Sequence, residues 1–158
     1  MPPSHPRPED LDALVDALSA TGEHTAATGE LLLDHLVTVG DHATQRALDG
    51  MVDDTVDSLR EISAGCRELA EAIARLRALE EEARAAGLDV RDGTVERSWG
   101  ITGVADAHSV DEAERVRESL QERVHHVVTT LGRHRTLLTA ECARASELLR
   151  TTSAALRA

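Results

Sequence analysis

The residues of this chain best suited to chemistry are eight histidines, two cysteines and one tryptophan. A helical bundle can hold two metal ions when a Glu-x-x-His pair projects from each of two helices and further glutamates project from two others. Glu122 and His125 make one such pair, and no second occurs. His125 and His126 are adjacent, so they point to different helix faces and do not form an i, i+4 chelate. His24, His35 and His42 fall at polar positions. His134 falls on an apolar stripe, where a core histidine held by a polar neighbour is the simpler reading than a ligand. Cys66 and Cys142 also lie on apolar stripes. A nucleophilic thiol must be exposed and activated, whereas a thiol in a packed seam behaves as a small hydrophobe. Two cysteines do not by themselves make a zinc site or a disulfide framework. Gly100-Ile101-Thr102-Gly103 lacks the Lys of a phosphate loop, and no Gly-x-Ser-x-Gly or His-Glu-x-x-His occurs. The expectation is a non-enzymatic protein with no catalytic, cofactor-binding or metal site.

Punctuation divides the chain into three helices. Pro2, Pro3, Pro6 and Pro8 make residues 1–8 a stiff polar leader expected to be disordered. Residues 9–86 read as a helical hairpin with a turn at 38–41. Its first helix carries Leu11, Leu14, Val15 and Leu18, then Leu32, Leu33 and Leu36. Gly40 ends that helix and Asp41 caps the next. The second helix, expected from about Asp41 to Ala86, carries Leu48, Val52, Thr55, Leu59, Ile62, Cys66, Leu69, Ile73 and Leu76. These steps alternate four and three, which is a heptad seam. Replacing Leu59 or Leu69 by Ala should cost about 2–5 kcal/mol if each is fully buried. Gly87 is a natural stop.

Residues 87–108 contain Gly87, Gly93, Gly100, Gly103 and Trp99, and read as a loop. Trp99 either covers the open end of the bundle or, flanked by Gly100 and Gly103, anchors a partner. Residues 109–158 form the last helix, opened by Ser109-Val110-Asp111-Glu112. Its stripe is read as Val116, Leu120, Val124, Val127, Leu131, His134, Leu138, Cys142, Ala145 and Leu148. If it packs antiparallel on the second helix from Ala86 and Val110, Cys66 lies opposite about residue 130. Cys142 is then ~18 Å further along at the helical rise, too far for a disulfide, so two free thiols are expected.

Fold class follows from these elements. The chain has 158 residues, one aromatic side chain, and neither Phe nor Tyr, which disfavours barrels and sandwiches. An all-α protein is expected, an elongated antiparallel bundle of three long helices. The net charge of −12 disfavours nucleic acid and anionic membrane surfaces as partners. No apolar run approaches the ~18 residues of a membrane span, and the start of the chain is not a secretory signal peptide. Residues 1–108 hold 22 acidic and 9 basic side chains, against 7 and 8 in residues 109–158. The last helix could therefore complement the acidic ones, although a mixed-charge solvated face explains the same numbers.

Two segments carry a family resemblance. Thr38-Val39-Gly40 between Leu11–Val37 and Ala43–Glu82 resembles the turn of the Trp-x-Gly helical-hairpin proteins of bacterial type VII (ESX) secretion, with Thr38 where the family has Trp and Gly40 where it has Gly. Trp99-Gly100 before the last helix is similar to a second, degenerate copy, which makes the chain a divergent, tandem or extended form. The resemblance implies a partner or substrate-like component of that secretion system, working by helix–helix pairing with another hairpin protein or a toxin. The family's export signal, Tyr-x-x-x-Asp/Glu, requires a tyrosine that this chain lacks. A cytoplasmic protein, exported if at all with a signal-bearing partner, is then implied. The alternative is a cytoplasmic homodimeric coiled-coil structural or regulatory module. In either case the first helix is too short to cover all of the second. A groove near Leu69, Ile73 and Leu76 is expected to receive a partner hairpin.

Overall fold

The computed structural model describes residues 8–34, 42–98 and 107–157. The protein is all-α: α1 spans Pro8–Asp34, α2 His42–Ala85 and α3 Ala107–Arg157. A two-stranded antiparallel hairpin, β1 Leu88–Arg91 and β2 Thr94–Arg97, lies between α2 and α3 in sequence. Residues 88–97, expected as loop, are thus corrected to a hairpin. The expected turn at 38–41 and the segment holding Trp99, Gly100 and Gly103 lie outside the described residues.

α2 runs unbroken through Gly50 and Gly65. The expected seam is its packed face, with Leu48, Val52, Thr55, Leu59, Ile62, Cys66 and Ile73 buried and Leu69 and Leu76 half-buried. Gly65 has a local reason: a methyl group there would sit 3.1 Å from Leu138 Cδ1, so its bare backbone is what admits Leu138. The helix ends where Ala86 N–H donates to the Glu82 and Ala83 carbonyls and Gly87 takes a φ of 73°. This is the left-handed stop that glycine adopts without strain.

The fold has two compact units, Met1–Ala70 with His134–Ala158 and Glu71–Arg133. In the first, α1 and α3 both pack on α2. A methyl at Gly22 would meet the Ser63 carbonyl oxygen at 3.2 Å, so α1 lies close to α2 over its small residues. Gly22 and Gly29, having no side chains, allow this close approach. On the α3 side, the Thr55 and Thr152 hydroxyls lie 3.4 Å apart and Ser58 Oγ donates to Glu141 Oε1 at 2.6 Å.

The α3 stripe departs from its expected course. Leu120, Val124, Ala145 and Thr152 are buried, but Val116 and Cys142 are exposed. In the C-terminal part the inward positions pass through Leu138, Glu141, Ala145, Leu148 and Thr152, an unbroken alternation of three and four that Cys142 does not join. The expected antiparallel register also shifts. Gly65 faces Leu138 and Glu68 faces His134, so Cys66 lies opposite a point well beyond residue 130.

The second unit has its own core of Leu79, Ala83, Leu88, Val95, Leu120 and Val124, with Leu76, Val90 and Val127 packed around it. The hairpin turn is Asp92-Gly93, both residues with positive φ, 49° and 78°, which matches the right-handed strand twist. Gln121 of α3 fastens it: Val95 N–H donates to Gln121 Oε1 at 2.7 Å, and Gln121 Nε2 donates to the Gly93 carbonyl at 2.9 Å. Val95 is 1% exposed, so losing Gln121 strands a buried donor. Gln121→Ala is expected to cost about 1–3 kcal/mol. Urea denaturation and hydrogen exchange at Val95 will check this. An unchanged exchange rate there contradicts the role given to Gln121.

Candidate interaction surface

In the second unit, α2 and α3 border a groove of 830 Å³. On α2 its lining residues are Arg75, Ala78, Leu79 and Glu82, spaced i, i+3, i+4 and i+7 on one helix face. On α3 they include Glu122, Arg123, His126 and Val127. Ala78, Leu79 and Val127 supply apolar surface, and both signs of charge stand around them. Arg123 grips Glu82 with two bonds, Nη1 to Oε1 at 2.7 Å and Nη2 to Oε2 at 2.8 Å. That hydrogen bond holds the Glu82 carboxyl below the usual carboxylate range. The same two side chains also line a neighbouring hollow of 400 Å³ with Val116 and Leu120.

A groove of this size would accommodate a small molecule, but such sites converge uncommitted polar groups on the ligand. Here the cross-helix carboxylate is already engaged by arginine. Among the described residues, no three His, Cys, Asp or Glu side chains gather where they could hold a metal ion. His125 and His126 both border the groove and are exposed. His134 has the polar partner expected of a core histidine, with Nδ1 3.0 Å from Glu68 Oε2. His24 and His42 are exposed.

The groove lies beside, not on, the strip expected at Leu69, Ile73 and Leu76. Ile73 is 5% exposed, and Leu76 packs against the core that includes the hairpin. The open face of the second unit lies at Ala78 and its neighbours. Trp99, Gly100 and Gly103 cannot be placed relative to the groove, since they lie outside the described residues. The bonds of Gln121 to the hairpin and the interhelix Glu82–Arg123 pair were not legible without the register.

Comparison with family models, with curated proteins and with solved structures found no match for this chain. The groove and its chemistry therefore carry the functional argument.

The electrostatics are mostly local. Arg117 pairs with Glu114, Arg75 with Glu71 and Arg150 with Glu147, all within one helix, which favours the mixed-charge solvated face over global complementarity. Glu82 is the informative exception for pH. Its folded pKa is lowered, so its stabilising contribution is complete above the unfolded value of about 4.3 and is lost as pH falls through the lower folded value. Thermal melts of the wild type and Glu82→Gln should differ most near neutral pH and converge in acid. A gap that stays constant down to the acid range contradicts this sign.

Proposed function

We propose that this protein is a non-enzymatic helical partner or substrate-like component of a type VII secretion system. It acts by laying a second helical hairpin protein, or a toxin bearing one, into the α2–α3 groove. The observation that carries the reading is the groove itself, where Arg75, Ala78, Leu79 and Glu82 share one face of α2 and apolar Ala78, Leu79 and Val127 have mixed charges beside them. An amphipathic helix fits such a surface because its apolar stripe recurs at the same spacing. The resemblance of Thr38-Val39-Gly40 and Trp99-Gly100 to hairpin-family turns supplies the class of partner. Among the described residues no helix is long and apolar enough to cross a membrane, in keeping with action through protein contacts. Because the chain has no tyrosine, the partner carries the export signal in this reading.

The mixed charge also suits a second copy, since Arg75 of one chain could face Glu122 of another across a two-fold axis. This homodimeric module is the second reading. Hydrogen exchange on the full chain, alone and mixed with the products of its neighbouring genes, tests both. Added protection over residues 75–82 and 122–129 only in the mixture supports the heterologous partner. Concentration-dependent protection in the chain alone supports the homodimer, and no change in either contradicts both.

A further inference from the structure

The two sulfurs of the chain, expected far apart, come to one layer of the first unit. Thr55 and Thr152 face each other across α2 and α3. Eleven residues, about three turns of helix, lead from Thr55 to Cys66 and back from Thr152 to Glu141 along the antiparallel partner. Cys142 is the next residue. Packing supports the same register. Cys66 clusters with Ala145 and Leu138, which lie one turn after and one turn before Cys142 on α3. Gly65, beside Cys66, is where α2 has no side chain to hold Leu138 of α3 away. The two thiols differ in access: Cys66 is 3% exposed, and Cys142 is open to solvent. Burial pushes the Cys66 thiol up, and the neighbouring Cys142 adds to that shift, as expected when the sulfurs are near each other.

We propose that Cys66 and Cys142 form an oxidisable dithiol site that takes a hydroperoxide and closes to a disulfide between α2 and α3. The exposed Cys142 reacts first. Its thiolate attacks the peroxide oxygen, the O–O bond breaks, and the sulfur becomes a sulfenic acid while hydroxide or alkoxide leaves and takes a proton. The Cys66 sulfur then attacks the Cys142 sulfenic sulfur. The S–S bond forms, the S–O bond breaks, and the departing hydroxide takes the Cys66 proton to leave as water. Two thiols are oxidised and one peroxide is reduced. The exposed sulfur meets the oxidant, and the buried one is the resolving partner that a lone surface thiol lacks. The disulfide is independent of the partner groove, since it lies in the first unit and the groove in the second.

The test is to treat the reduced full chain with hydrogen peroxide and follow intact mass, free thiols and peptide maps. The expected result is loss of both thiols, a mass lower by two hydrogens and a peptide linking Cys66 to Cys142 within one chain. Cys142→Ser, at an exposed position, should fold normally, form no cross-link and leave Cys66 unoxidised under the same treatment. Sulfinic acid at Cys142 with Cys66 still reduced, or a cross-link between two chains through Cys142, would overturn the proposal.

Discussion

Leu120→Ala should lower stability by about 2–5 kcal/mol, the range for emptying a buried leucine site. Leu120 is 2% exposed and touches a core drawn from α2, α3 and both strands of the hairpin. A two-stranded hairpin is marginal on its own, so β1 and β2 depend on this contact. The cavity has little means to collapse: Ala83, its small neighbour on α2, is already fully buried, and the hairpin is pinned by Gln121. Urea denaturation should show the loss in midpoint, and exchange at Val95 should accelerate with it. A loss under about 1 kcal/mol, below the usual cost of such a cavity, would contradict the packing described.

Leu59→Ala should cost a similar amount in the first unit, about 2–5 kcal/mol. Leu59 is 7% exposed on α2, and its Cβ lies 4.0 Å from where a Gly29 methyl would project from α1. Gly29 has no side chain with which to fill the hole. Leu69 is half-buried, so Leu69→Ala should cost clearly less, in proportion to the smaller apolar area removed. Parallel melts of the two variants check the order. Equal losses would mean that Leu69 is as deeply packed as Leu59.

What the sequence disclosed follows from which signals are local. The α2 heptad from Leu48 to Leu76 needs only its own periodicity, and the helix bounds fell within a residue of expectation. The Gly87 stop is likewise local. The hairpin was also legible, since Asp92-Gly93 between Val90 and Val95 is a strong two-residue turn signal, but four glycines in 87–108 suggested a loop. The register was set short by pairing Ala86 with Val110, Cys142 was placed in the seam by its apolar character where Glu141 belongs, and Leu76 was read as open where it packs against the core that includes the hairpin. A carboxylate at an inward position reads as surface until its partner, the Ser58 hydroxyl, is known from the register. The groove at Ala78 could not be read from α2 alone, since half of it comes from α3.

Light scattering on the purified full chain, alone and mixed with the products of its neighbouring genes, tests the central claim most directly. The account predicts a complex of defined mass, heavier than either component. Ala78→Arg, which places a bulky charge on an exposed groove residue, should weaken that complex at least about tenfold, roughly 1.4 kcal/mol, while leaving the helical content unchanged. A chain that remains monomeric alone and in the mixture, or a complex indifferent to Ala78→Arg, would contradict the account.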